Sequence, residues 1–181
     1  MNEKNPLRNI IETKYYYKGH IGNLRVDMVR FPSGSVKPRE ILEHRPCVAV
    51  LPVTETGRIV LIKQYRHAVD EEIFEIPAGI MEEGEEPRAS ACRELREETG
   101  FKPGKLEEIA EIYTSPGFCD EKIHIYIATE LSVSPLQQDD DEFIKTFDFS
   151  VEELEKMIAE GKIADGKTLL AYYWYRAVCA R

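Results

Sequence analysis

The alternation of apolar and polar positions divides the chain into strand-length runs first and helical stretches later. "TKYYYKG" and "LRVDMVRF" flank the polar "HIGN", and Leu24, Val26 and Met28 recur at the two-residue period of a half-exposed strand. "PSGS" interrupts the pattern before "PREILEH" resumes it. Residues 1–45 are thus expected to form an N-terminal β-sheet extension, set apart from a main domain over 46–181. There, "CVAVLPV" and "RIVLIKQYR" bracket "TETG", the pattern of a β-hairpin with a short loop. "IFEIPAG" predicts one more strand ending at Gly79, where the absence of a side chain permits a sharp turn and close approach by a ligand.

A helix is expected from Pro87 to Thr99. Pro87 suits its first turn, and Gly100 suits the left-handed residue beyond its last. Ala91, Cys92, Leu95 and Thr99 form a modest apolar face. "LEEIAEIY" and "KIHIYIATELS" read as strands around the loop "TSPGFCDE". A second loop, "PLQQDDDE", precedes the strand "FIKTFDF". Ser150 with Glu153 predicts a capping box that opens "VEELEKMIAEG", and Gly161 closes that helix. "TLLAYYWYRAVCAR" is apolar and long enough for a packed terminal helix. Strands mixed with helices in this order predict a layered α/β domain of mixed α+β character.

Length and composition change little in this picture. The 181 residues suit one domain with a small appendage, and 43% hydrophobic with 31% charged is ordinary for a globular chain. Charge excludes more. The net charge is −9 with no basic stripe, so neither nucleic acid nor a membrane surface is an expected partner. An anionic phosphate substrate would then need a cation to offset the carboxylates, and a metal ion is the simple candidate. Cys47, Cys92, Cys119 and Cys179 lie far apart without a C-x-x-C pair, which reads as reduced thiols in a cytoplasmic protein. The N-terminal stretch has no apolar core of a secretory signal, and no run approaches the length of a membrane span.

The expected helix concentrates acid. Glu94, Glu97 and Glu98 fall within about one turn, although like charges at i,i+4 destabilise a helix by roughly 0.2–0.5 kcal/mol per pair. Glu94 and Glu98 point the same way. Carboxylate and carbonyl oxygens are what a hard divalent cation takes, and Ala78 ahead of the helix is the natural carbonyl donor. The bland alternative is a solvated helix in which Arg93 and Glu97 form an ordinary ion pair.

Spacing decides between them. Gly79, five residues, Glu85, seven residues, then Arg93-Glu94-Leu95-Arg96-Glu97-Glu98-Thr99-Gly100-Phe101 resembles the signature of the Nudix hydrolases at every defined position. The resemblance runs from about Cys47 to Phe149. It implies an α/β/α sandwich that hydrolyses a nucleoside diphosphate linked to another moiety, using Mg²⁺, with Mn²⁺ as a substitute. It implies Glu94 and Glu98 as the main metal ligands, Glu97 as a ligand to a second ion, and the carbonyl of Ala78 as a further donor. Arg93 and Glu85 resemble the pair that orients the helix. Leu95 and Phe101 match apolar positions that pack it down.

Pro116, fifteen residues beyond Phe101 in "SPGF", resembles a proline of ADP-ribose pyrophosphatases and related nucleotide-sugar hydrolases. Pro116, Gly117 and Phe118 are therefore expected at the substrate, and a Pro-Gly turn is the ordinary alternative. Those relatives take their general base from a distant loop. "QQDDDEFI" occupies the matching place, with Glu142 as first choice and Asp140 and Asp141 behind it. Arg66 in "KQYRH" either holds a phosphate bidentately, as a similar arginine does in relatives, or is a surface strand residue. Glu75 is expected to support the site. The N-terminal strands resemble the extension through which such enzymes form homodimers. Tyr15, Tyr16 and Tyr17 offer faces for stacking a base or for a plain sheet surface. His67 and His124 lack the spacing of a metal pair and read as structural.

Three functions are then open. One is hydrolysis of ADP-ribose to AMP and ribose 5-phosphate, with GDP-mannose or a UDP-sugar as sibling substrates. A non-catalytic nucleotide-sugar-binding module is the second, and a full acidic set argues against it. An RNA-end pyrophosphohydrolase is the third, disfavoured by the net negative charge.

Overall fold

The computed structural model describes residues 9–137 and 143–178 as ten strands and three helices. They fall into two compact units. The first covers the described residues up to Pro46 together with Tyr113–Lys122, and the second covers Cys47–Ile112 and the described residues from Ile123 onward.

The first unit is built on a three-stranded antiparallel sheet of β1 (Ile10–Lys18), β2 (Gly22–Arg30) and β3 (Val36–His44), with β2 central. The buried face of β2 has the opposite parity to the expected Leu24, Val26 and Met28, of which Leu24 is 39% exposed. Val29 and Asp27 are buried, and Tyr16 and Tyr17 stand out at 61% and 65% exposure. Asp27 accepts a hydrogen bond from the Thr13 hydroxyl at 2.7 Å and pairs with Arg25. Ser115–Cys119 forms a tight turn in the same unit, where the Ser115 carbonyl accepts from the Phe118 and Cys119 N–H groups.

The second unit holds two sheets. β4 (Cys47–Pro52) lies inside a four-stranded sheet of order β7-β4-β9-β8, made with β7 (Ala78–Ile80), β8 (Phe101–Tyr113) and β9 (Lys122–Val133). It runs parallel to β9 and antiparallel to β7. All six residues of β4 are buried, which is the mark of a strand covered on both faces. The pleat sorts them. Cys47, Ala49 and Leu51 join Ile123, Ile125 and Ile127 in one apolar cluster, which also takes in Ile59, Leu61, Leu154, Ala171 and Tyr172. Val48 and Val50 join Tyr126 and Ala128 in the other, closed by Ala91 and Leu95. Helices therefore cover both sides of this sheet. α1 (Pro87–Thr99) lies on one face, and α2 (Val151–Ala159) and α3 (Gly166–Val178) line the core on the other.

Two strand expectations need correction. The run 47–66 is not a paired hairpin. Val53 and Ile59 make a single antiparallel bridge around the Thr54–Gly57 turn, and the strands then part. β5 (Ile59–Arg66) is central to a second sheet of order β10-β5-β6, with β6 (Glu71–Glu75) and β10 (Lys145–Phe149). The reason is that β4 is already flanked by β7 and β9 and has no edge left for β5. "IFEIPAG" likewise divides into β6 and β7 at Ile76–Pro77, so the chain changes sheets there. Proline has no N–H for a ladder, and Pro77 instead accepts from Val50 N–H at 2.9 Å.

The Ser150–Glu153 capping box forms with both of its hydrogen bonds. Among the described residues, no helix is long and apolar enough to cross a membrane. Leu95 is fully buried where α1 meets the sheet, so Leu95→Ala is expected to lose about 2–5 kcal/mol of stability. Urea unfolding checks this, as a lower midpoint at an unchanged m-value.

Candidate active site

α1 starts with Pro87 in its first turn and ends at Gly100, whose φ of 75° is left-handed and whose N–H caps the Arg96 carbonyl at 3.0 Å. Packing Ala91 and Leu95 against β4 fixes the rotation of the helix. Glu94 and Glu98, one turn apart, are then carried inward beside β7, with residue exposures of 9% and 1%. Glu98 Oε2 accepts the Ala78 N–H at 2.8 Å. Gly79 does not turn the chain; it sits within β7 opposite Val48. Its missing side chain serves another purpose, because a Cβ there would overlap the Glu94 carboxylate. The close approach expected of a ligand is made by the protein's own glutamate.

Arg93 gathers the acids. Its Nε and Nη2 donate to the two Glu85 oxygens at 3.0 and 2.9 Å, a bidentate pair. Nη1 donates to Glu94 at 2.7 Å and to Glu97 at 2.9 Å. The Glu85 bond is the largest influence holding the guanidinium above its usual pKa, and the charge and hydrogen bond of Glu94 and the hydrogen bond of Glu97 add to it against burial. The same bond pulls the Glu85 carboxyl down to about 2, with help from the Glu82 N–H at 3.0 Å. Thus Glu94, Glu97, Glu98, Ala78, Gly79, Glu85 and Arg93 come together in the second unit.

A second charged group lies on the β5–β6 pair. Arg66 donates through Nε and Nη2 to both oxygens of Glu75, at 2.7 and 3.0 Å, and Glu75 is 1% exposed. Burial works to lower the Arg66 pKa. The Glu75 bond and the charges of Glu75, Glu98 and Asp165 outweigh it and hold the group above its ordinary value. Lys167 also donates to Glu75 Oε2. Lys167 was not anticipated. Its signal was Asp165 ahead of α3, which accepts the Thr168 N–H as a helix-opening residue at 3.0 Å.

Pro116, Gly117 and Phe118 occupy the Ser115–Cys119 turn of the first unit. Asp140, Asp141 and Glu142 lie outside the described residues. The flanking segments hold to the last turns of α1. The Arg96 carbonyl accepts from Leu136 N–H at 3.3 Å, and the Glu98 carbonyl accepts from the Thr146 hydroxyl at 3.3 Å. His67 packs edge-on against Tyr65, and His124 Nδ1 lies 2.9 Å from Glu108.

Three carboxylates, those of Glu85, Glu94 and Glu97, bond to the Arg93 guanidinium, and a fourth, Glu98, is buried one turn from Glu94 on the Ala78 N–H. A cluster of hard oxygen donors with excess negative charge fits a divalent cation better than a soft metal, which would want thiolate or imidazole.

The NUDIX domain model matches residues 43–172. The chain is 42% identical over 163 residues to the ADP-ribose pyrophosphatase of Bacillus subtilis (strain 168), covering 89% of this chain and 88% of the relative. It is 41% identical over 163 residues to the methanol dehydrogenase activator of Bacillus methanolicus, with 89% and 88% covered. A solved ADP compounds hydrolase shares the fold at a TM-score of 0.86 and 18% identity, over 98% of this chain and 100% of that one.

Gly79→Ala is expected to fold but to displace the flexible end of Glu94, lowering turnover on the order of 10²-fold. Circular dichroism and steady-state kinetics on one preparation separate the two effects. The depressed Glu85 pKa has its own signature. Its stabilisation is fully present above the ordinary value of 4.5 and is lost as pH falls towards about 2. Thermal melts across that window should show a shallower acid decline in Glu85→Gln than in the wild type.

Proposed function

The chain belongs to the Nudix family, and on that premise we propose that it hydrolyses the pyrophosphate bond of nucleoside diphosphate sugars, ADP-ribose first among them. The observation that carries this reading is the burial of Glu94 and Glu98 one turn apart against Ala78–Gly79. The substrate choice draws on the Bacillus subtilis relative.

Mg²⁺, with Mn²⁺ as a substitute, would be held by Glu94 and Glu98, with Glu97 and the Ala78 carbonyl completing the donor set. Bound there, such an ion neutralises the pyrophosphate, polarises its P–O bonds and lowers the pKa of water. The remaining work falls to the protein. Arg93, clamped by Glu85, fixes the helix that carries the acids. Arg66 holds a phosphate oxygen while Glu75 orients its guanidinium. Glu142, with Asp140 and Asp141 behind it, takes the proton from the attacking water. The water oxygen forms the new P–O bond as the bridging P–O bond breaks, giving AMP and ribose 5-phosphate. Attachment of both flanking segments to α1 supports a base among residues 138–142. Pro116, Gly117 and Phe118 are assigned to the substrate by the resemblance of "SPGF" alone.

The division at Pro46 supports a 1–45 extension and a 46–181 catalytic domain. The apolar exposure of Ile11, Tyr16, Tyr17 and Ile21 supports a homodimer formed through that extension. Free thiols at Cys47, Cys92 and Cys119 support the reducing cytoplasm.

With Mg²⁺ and ADP-ribose, inorganic phosphate should appear only after a phosphatase is added. Glu98→Gln should keep the fold and lower kcat by at least about 10²-fold. Wild-type turnover in that variant would overturn the ligand assignment. Glu142→Gln should lower kcat with metal affinity unchanged. A panel of nucleoside diphosphate sugars ranked by kcat/KM tests the substrate, and a clear preference for GDP-mannose or a UDP-sugar would replace ADP-ribose.

A further inference from the structure

Among the described residues, Glu75 is a buried acid outside the α1 cluster that accepts three hydrogen bonds from cationic side chains. A carboxylate desolvated to that degree is costly unless every lone pair is used. Arg66 occupies one lone pair on each oxygen, and Lys167 takes Oε2 a second time. Lys167 is itself mostly buried, at 12% side-chain exposure, and its other acceptor is Asp165 Oδ1 at 3.0 Å. The second Asp165 oxygen accepts from the Thr168 N–H and hydroxyl. The Thr168 hydroxyl oxygen in turn accepts the Ile76 N–H at 2.8 Å. Ile76 lies two residues before Ala78, whose N–H holds Glu98. The start of α3 is thereby joined to both the arginine-bearing strand pair and the crossover that supports the catalytic helix.

From this connectivity we propose that Lys167 is a positioning residue for substrate, acting through Glu75 to aim the Arg66 guanidinium at a phosphate. The inference deepens the hydrolase reading and rests on it for the role of Arg66. Two bonds from Arg66 define the plane of the guanidinium only if the acceptor is itself fixed. Lys167 provides that fixing from the far side of Glu75. It also shares the charge of Glu75, so Arg66 is held without being fully neutralised. Nη1 takes no part in the Glu75 bonds, and the Arg66 side chain is 41% exposed. Lys167 needs no contact with substrate for this.

The test is calorimetric binding of ADP-ribose in EDTA, which separates binding from turnover. Lys167→Gln should weaken binding roughly tenfold, the scale of one charge-assisted hydrogen bond, and Lys167→Arg should restore most of it. In kinetics with Mg²⁺, KM should rise with kcat within about threefold, the pattern of lost uniform binding. The decisive arm is a double-mutant cycle. In an Arg66→Ala background, Lys167→Gln should have almost no further effect. Undiminished weakening there, or wild-type affinity in Lys167→Gln, overturns the proposal. If Lys167→Gln does not fold, Asp165→Asn loosens Lys167 while keeping both cations. It should weaken binding severalfold in the wild-type background and not in Arg66→Ala, and no change would overturn the proposal. Wild-type binding of ADP-ribose without hydrolysis would sink the hydrolase reading and leave this inference standing. Hydrolysis with unchanged affinity in Lys167→Gln would do the reverse.

Discussion

The site depends on a single helix that must bury hydrocarbon on one side and carboxylate on another. Ala91 and Leu95 are sealed against β4, and the same rotation drives Glu94 and Glu98 inward. Removing carboxylates from water costs several kcal/mol each unless hydrogen bonds and charge replace the lost hydration. The replacements here are the Ala78 N–H for Glu98, Arg93 for Glu94, and the space left by Gly79. Like charges that would fray an exposed helix are therefore held in fixed directions.

The parts of this arrangement that were legible in the sequence are those set by near neighbours. Pro87, Gly100 and the Ser150 box mark helix ends because a cap acts within a turn or so of its own position. Glu85 and Arg93 are separated by one loop and two helical turns, so their spacing carries their pairing. Strand partnership is different. "CVAVLPV" declares burial on both faces but contains nothing that selects β7 and β9 over β5. Gly79 was legible as a glycine that had to be there. Its reason was not, because the clash it avoids is with a side chain fifteen residues later.

Distance along the chain also hid Lys167. It meets Glu75 across 92 residues, after a change of sheet and two helices. Arg66 presented two readings because a strand arginine near a turn looks the same in either. Only the fork onto buried Glu75 distinguishes an organised guanidinium from a solvated one. The backbone from Glu75 to Gly79 then links the two charged groups. Its first residue holds Arg66, its Ile76 N–H meets Thr168, its Ala78 N–H meets Glu98, and its Gly79 makes room for Glu94. Five consecutive residues thus set the positions of the Arg66 guanidinium and of the acids on α1.

The central claim is that these helix-borne oxygens hold a divalent cation against a diphosphate. Anomalous diffraction from crystals grown with Mn²⁺ and a non-cleavable ADP-ribose analogue tests it directly. The predicted result is a manganese peak within coordinating distance of Glu94 and Glu98, bridging to the pyrophosphate. Manganese bound elsewhere at full occupancy, with Glu98 still turned to the Ala78 N–H and the analogue away from α1, would contradict it.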